Sequence, residues 1–351
     1  MSNTIQPIKT AICSFGMSGW VFHAPFIAVN PGFELYSVCE RTKNLASLKY
    51  PAIKTVRSLE ELLEDDAVEL VVVNTPNSTH YEYTKKALLA GKHVIVEKPF
   101  TIYSKEGDEL IQLAAQCGKQ LSVYHNRRYD SDTRTVKKIL DEQLLGEIVE
   151  TEIRYDRYRE EIGPKLHKET PGPGTGLVYD LGAHLIDQAL LFFGMPQSIF
   201  ADIGILRPVS KVDDYMELLL FYGRLRVRLK SGYLVREPLP AYSINGTKGS
   251  FIKARTDVQE AELQAGESPG GSNWGVEPAD QKGLLHTEID GKIIREQVVS
   301  LSGNYGDYYN AMYDAIRNNA PVPVTGEHGT NVIRVIEAAY ESNREKKIIN
   351  L

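Results

Sequence analysis

The sequence of 351 residues holds three cysteines, Cys13, Cys39 and Cys117, far apart and with no CxxC pair. That arrangement excludes a disulfide framework and a cysteine-based zinc site. Cys13 and Cys39 fall inside apolar runs and read as core thiols. Basic surplus is also lacking: 40 Lys and Arg stand against 46 Asp and Glu, a formal net charge of −6. A protein that coats nucleic acid would show a concentrated basic field instead, so no nucleic-acid partner is expected. No apolar run approaches the ~18–20 residues of a membrane span. The opening MSNTIQPIKT has neither the basic patch nor the apolar stretch of a signal peptide. The expected setting is therefore cytoplasmic, with no membrane partner. Internal repeats are absent as well.

What is present is a globular composition, 42% hydrophobic and 25% charged, long enough for two domains at roughly 150 residues each. In the first third, short and near-continuously apolar runs recur at Ile8–Phe15, Phe33–Cys39, Glu69–Asn74, His93–Glu97 and Gln120–Tyr124. Parallel strands covered on both faces look like this. Helical stretches alternate with them: one after a Ser58 cap, one at 79–90 stopping before Gly91, one at 106–117 stopping before Gly118. This predicts a doubly wound parallel sheet over residues 1–125. Over 126–351, helices at 131–143, 180–193, 306–318 and 327–343 surround strands at 149–158, 199–205, 216–221, 225–230 and 242–252. Several strands without intervening helices predict an α+β domain with a large, mostly antiparallel open sheet, so the chain is α/β overall.

Polar residues gather where the predicted parallel strands end. The first strand runs into Ser14-Phe15-Gly16-Met17-Ser18-Gly19, a GxGxxG pattern with serine at the first position. There Gly16 lets the backbone approach a pyrophosphate and Gly19 lets helix and strand pack closely. Glu40 follows at the end of the second strand, where a carboxylate accepts the ribose hydroxyls of NAD. Its neighbour Arg41 suits the 2′-phosphate of NADP, so NAD and NADP both stay open. Thr75-Pro76-Asn77 with His80, and Glu97-Lys98-Pro99, close two further strands on the side where open α/β sheets bind ligands. Lys98 at a strand terminus is a catalytic candidate. In the second half, Asp180 and His184 are spaced i,i+4 on a predicted helix with Gln188. A carboxylate beside an imidazole suits a general acid/base. No other His or Cys lies near at ligand spacing, so no metal is expected.

Gly16-Met17-Ser18-Gly19, Glu97-Lys98-Pro99 and the Asp180…His184 pair, in this order and at these separations, resemble the Gfo/Idh/MocA oxidoreductases through nearly the whole chain. Val21-Phe22-His23-Ala24-Pro25, Tyr124-His125-Asn126-Arg127-Arg128 and Asn304-Tyr305 further resemble its NADP-dependent scyllo-inositol dehydrogenase branch. The resemblance implies a Rossmann domain and a C-terminal domain whose open sheet often joins subunits, hence a homodimer or tetramer. It implies that Lys98 hydrogen-bonds the reacting oxygen and positions the nicotinamide, while His184 exchanges the proton, oriented by Asp180. The substrate is then a small polyol or sugar, with Asn126, Arg127, Asp156, Arg157 and Tyr305 as its contacts. Two departures stand out. Ser14 replaces the usual first glycine, and Leu166-His167 stands where similar inositol dehydrogenases tend to carry a Trp-Arg pair. Rival readings are reduction of an unrelated carbonyl, C=N chemistry, and nucleotide sensing without turnover; Lys98, Asp180 and His184 together favour catalysis over sensing.

Overall fold

Six strands near the N-terminus, β1 (Ile8–Ile12), β2 (Phe33–Cys39), β3 (Lys54–Val56), β4 (Leu70–Val73), β5 (His93–Glu97) and β6 (Leu121–Tyr124), form one parallel sheet. Their order is β3-β2-β1-β4-β5-β6, so the sheet reverses its direction of winding between β1 and β4. The computed structural model describes residues 6–351, the side chain of His167 excepted. It divides into two compact units.

The first unit runs to Asn126 and takes in Val258–Trp274 and Asn304–Thr330 as well. Those later segments bring the helix Gly306–Arg317, which the sequence reading places in the second half, and the helix Gln259–Gln264, which it does not contain. The strands form because β-branched residues repeat without interruption: every residue of β4, Leu70 to Val73, is fully buried. Ser58 caps the helix Leu59–Leu63 by accepting from the Glu61 amide at 3.1 Å. The helix Ser104–Cys117 ends on Gly118 in the left-handed region. Edge strand β3, three residues long, carries too little pattern to be read from sequence.

The second unit is built on a nine-stranded sheet. Its strands are β7 (Ile148–Arg154), β8 (Ser198–Gly204), β9 (Tyr215–Tyr222), β10 (Leu225–Gly232), β11 (Tyr242–Gly246), β12 (Gly249–Lys253), β13 (Gly283–Ile289), β14 (Lys292–Val298) and β15 (Ile349–Asn350). They lie in the order β14-β13-β12-β11-β7-β10-β9-β8-β15, antiparallel except at β7–β10. The β13–β14 hairpin was not predicted, although Asp290-Gly291 at its turn is a strong hairpin signal. Helices Ser131–Asp141 and Ala183–Phe193, and residues 331–345 of the last helix, cover one face. Leu185, Ile186, Leu218, Leu229, Ile244 and Ile336 fill the layer between.

Buried charge ties the 159–170 loop to this sheet. Arg207, 1% exposed, donates to Asp214 at 2.9 Å, Glu169 at 2.9 Å and the Glu161 carbonyl at 2.8 Å, with its guanidinium over Tyr233. Glu169 also accepts from the Gly163 amide, while Leu166 is exposed. Truncating Arg207 strands two buried carboxylates, a change that costs about 3–5 kcal/mol. Arg207→Ala is therefore expected to lower the unfolding free energy from urea titration by that much; a loss below about 1 kcal/mol would contradict the role given to this pair.

Candidate active site

Beyond β1 the chain turns sharply. The Ser14 hydroxyl accepts from the Gly16 amide at 3.2 Å, and the Asn74 amide, at the end of β4, donates to the Ser14 carbonyl at 2.8 Å. A Cβ at Gly19 would lie 2.2 Å from that carbonyl oxygen and 2.9 Å from the Asn74 nitrogen. The close approach of turn and strand thus demands glycine. The expected α-helix after this turn begins instead with a π-helical turn, Gly19–His23, and becomes α-helical at Ala24–Val29.

A cavity of about 1160 Å³ opens over the ends of β1, β2 and β4. Ser14, Gly16, Met17, Glu40, Arg41, Thr75 and Pro76 line it, as expected. Thr42, Lys43, Lys49, Trp20 and Tyr83 line it too, and the sequence reading missed them. Cys13 and Cys39 are part of the wall, and burial pushes both thiols above their usual range. Small-molecule pockets run to about 300–1,000 Å³, so this one suits a larger ligand. A glycine-bearing turn at one place and a cationic rim at another fit a dinucleotide such as NAD or NADP.

The two residues offered for cofactor choice differ sharply. Glu40 is buried, and its two carboxylate oxygens accept the Leu45 and Ala46 amides at 3.0 Å each. These amides open the short helix Leu45–Lys49, so Glu40 serves it as an anionic cap. Arg57 fastens the same loop through the carbonyls of Glu40 and Lys43 and the Asn44 side chain, each at 2.7 Å. Arg41, Thr42 and Lys43 remain exposed at the rim.

Three other expected cofactor residues, on β5 and in the segment after β4, lie outside the lining of this cavity. His80, 1% exposed, points Nδ1 at the Pro99 carbonyl (2.7 Å) and Nε2 at the Thr75 carbonyl (2.9 Å), joining the loops after β5 and β4. Burial lowers its pKa, opposed by those carbonyls and by the charge of Glu97. Asn77 opens the one-turn helix Asn77–Thr79. Glu97 accepts from Ser18 at 2.5 Å, from His23 at 3.1 Å and from the Lys98 amide at 3.1 Å. Burial acts to raise its pKa, but His23, Ser18 and the charge of Lys98 bring it down to about 2. Lys98 precedes a cis peptide to Pro99.

In the second unit, Asp180 lies in a π-helical turn, Val178–Gly182, and His184 in the helix Ala183–Phe193. The plain α-helix expected over both residues is thus corrected. The extra residue in a π turn alters which side chains align. Asp180 accepts from Lys168 at 2.6 Å, a partner the sequence did not suggest. His184 is buried. Gln188, predicted to share their face, is fully buried and donates to Thr133 at 2.8 Å. One residue earlier, buried Asp187 holds Arg128 at 2.6–3.1 Å.

The proposed substrate contacts divide between the two units. Arg127 is buried, 3.6 Å from Asp130, with its guanidinium 5.9 Å from the Tyr155 ring centre. Arg157 flanks the same ring at 5.3 Å. Asp156 accepts from Arg154 at 2.8 Å. Asn126 is buried in the first unit. Tyr305 is fully buried there, its ring against Phe22 and Phe26 and its amide on Gln259.

Comparison with known proteins agrees with these features. The family model described as "Oxidoreductase family, NAD-binding Rossmann fold" matches residues 8–125, and its companion, "Oxidoreductase family, C-terminal alpha/beta domain", matches 137–351. The chain is 40% identical to scyllo-inositol 2-dehydrogenase (NADP(+)) of Bacillus subtilis (strain 168), over 99% of this chain and 97% of the relative. It is 29% identical to D-glucoside 3-dehydrogenase of Escherichia coli (strain K12), over 55% and 56%. A solved chain from Bacteroides fragilis is 50% identical, with TM-score 0.91 and 99% and 100% coverage. An oxidoreductase from Bacillus cereus is 32% identical, with TM-score 0.90 and 98% of each chain covered.

Gly19→Ala drives a Cβ into the Ser14 carbonyl and must open the turn. Its expected effect is a loss of NADPH affinity of at least about tenfold, or 1.4 kcal/mol, by fluorescence titration. Unchanged affinity would show that the turn does not hold the cofactor.

Proposed function

We propose that this chain, which belongs to the Gfo/Idh/MocA family of oxidoreductases with an NAD-binding Rossmann domain, uses NADP to oxidise a secondary hydroxyl of a cyclic polyol or sugar. One observation carries this reading: the dinucleotide-sized cavity lies over β1, β2 and β4, and Lys98 leaves the neighbouring strand β5. The rim supports NADP over NAD. Glu40 is turned to two backbone amides, while Arg41 and Lys43 offer positive charge to a 2′-phosphate. Relatives named as an NADP-dependent inositol dehydrogenase and a glucoside dehydrogenase support a ring polyol or sugar.

When bound, the nicotinamide takes up the hydride in oxidation and returns it in reduction. We assign to Lys98 the hydrogen bond to the reacting oxygen, where its ammonium stabilises alkoxide charge as it develops. His184 takes the hydroxyl proton. Asp180, held by Lys168, favours the imidazolium that results. Asn126, Arg127, Asp156 and Arg157 are the polar side chains we assign to the remaining hydroxyls. A site built to hydrogen-bond hydroxyls discriminates strongly against analogues that lack them.

We also propose a homodimer or tetramer, working in the cytoplasm. The face of the nine-stranded sheet away from the helices carries Arg228 between Glu152 and Glu217, and Lys230 beside Glu217, all partly exposed. Phe200 and Ile252 stand exposed on β8 and β12. A face that carries both signs of charge and apolar side chains is a reason to propose pairing with a second copy across a two-fold axis.

The reading is tested by assaying NADP⁺ reduction with a panel of inositols, glucosides and aldoses, in the wild type, Lys98→Ala and His184→Ala. At least one ring polyol or sugar should be oxidised. Each variant should lose turnover by about 10²–10⁴-fold, with NADPH affinity held within about threefold, or about 0.7 kcal/mol. Inertness towards the whole panel, or wild-type turnover in both variants, would overturn it.

A further inference from the structure

Glu97 is the last residue of β5, and each of its carboxylate oxygens has a donor. Oε1 accepts from Ser18 at 2.5 Å and from His23 Nε2 at 3.1 Å; Oε2 accepts from the Lys98 amide at 3.1 Å. An ionised carboxylate only accepts, so the His23 nitrogen that faces it carries a proton. The other ring nitrogen, Nδ1, lies 2.7 Å from the Tyr309 hydroxyl. Burial pushes Tyr309 well above its usual pKa, so the phenol keeps its proton and can donate. In the neutral ring, Tyr309 donates to Nδ1 and Nε2 donates to Glu97, which fixes one tautomer.

The surroundings make this chain of hydrogen bonds rigid. His23 is fully buried, 4.5 Å from the Tyr124 ring. Tyr309 stacks on Phe26 at 6.1 Å and meets Phe33 edge-on at 5.7 Å. Around Glu97 the titratable neighbours are His23, Lys98, His80 and Tyr309; around Tyr309 they are Tyr124, Tyr308 and Glu97. Ser18 belongs to the glycine turn at the cofactor cavity. One carboxylate therefore joins that turn to the residue that follows β5.

We infer that His23 is a positioning residue for Lys98: Tyr309 sets the His23 tautomer, His23 and Ser18 hold the Glu97 carboxylate, and Glu97 fixes the Lys98 backbone while presenting negative charge to its ammonium. The inference rests on Lys98 acting at the reacting oxygen, as proposed above. Its chemical consequence concerns the acid side of the pH range. With a pKa of about 2, Glu97 is ionised at every working pH, and the clamp would open only as pH falls through that value. Without the His23 donor, burial is left less opposed and the Glu97 pKa rises. The clamp then opens as pH falls through the ordinary carboxylic acid range.

The test measures kcat for ketone reduction from about pH 5 to about pH 9, with NADPH affinity by fluorescence, in wild type, His23→Ala, His23→Gln, Tyr309→Phe and Lys98→Ala. Reduction is chosen because a protonated His184 then favours the reaction at acid pH. His23→Ala is expected to lower kcat about tenfold at neutral pH and to lose further activity on acidification that the wild type does not lose. NADPH affinity should change by less than about twofold. Gln can donate to Glu97 and accept from Tyr309, so His23→Gln should restore most of kcat and the wild-type acid side. Tyr309→Phe keeps the ring packing and should lower kcat about threefold with affinity unchanged. If Lys98→Ala is inactive while His23→Ala and Tyr309→Phe match the wild type, the inference is wrong and the role of Lys98 stands. Equal losses in His23→Ala and His23→Gln, or a loss of affinity rather than kcat, would also overturn it. If His23→Ala does not fold, His23→Gln and Tyr309→Phe decide by the same criteria. Full activity in Lys98→Ala would instead overturn the reading on which the inference rests.

Discussion

A parallel sheet ends in a row of loops whose backbone groups must find partners, and in this protein side chains supply many of them. Asn74 holds the Ser14 carbonyl, Glu40 caps the helix Leu45–Lys49, His80 joins the loops after β4 and β5, and Glu97 joins the glycine turn to Lys98. A buried polar group without a partner costs about 1–3 kcal/mol, so each of these contacts constrains the loop it touches. The cavity lies over the ends of β1, β2 and β4, among these loops. Its shape depends on residues that mostly face away from it.

This explains why the candidate site was only partly legible in the sequence. Capping a helix and accepting a ribose hydroxyl need the same carboxylate, so the sequence alone did not show that Glu40 holds two backbone amides. His80 and Glu97 were read from their places at strand ends, and the contacts by which they join neighbouring loops lie far along the chain. Thr42 and Lys43 escaped notice because nothing in their spacing marks them; they line the cavity through the course of the loop that Arg57 fastens. The contacts of His23 with Glu97 and with Tyr309 span 74 and 286 positions, beyond any local pattern.

The fold was more legible, and for a physical reason. Phe33–Cys39 and His93–Glu97 are strands with the predicted bounds, because an apolar run buried on both faces has few other uses. Helices that stop at glycines were also placed well. What escaped was structure decided by tertiary contact. Edge strand β3 is too short to show a period. The π-helical turns at Gly19–His23 and Val178–Gly182 occur where glycine lets the backbone crowd a neighbour: Gly19 against Ser14, and Gly182 against Met216.

If strand-end side chains build the loops and leave Arg41 and Lys43 to face the ligand, cofactor choice is the most direct measure of the account. Isothermal titration calorimetry of the wild-type protein with NADP⁺ and NAD⁺ separates the two possibilities. The account requires NADP⁺ to bind more tightly by at least about tenfold, or 1.4 kcal/mol, with the difference shrinking as salt screens the 2′-phosphate. Equal affinities, or tighter binding of NAD⁺, would contradict it.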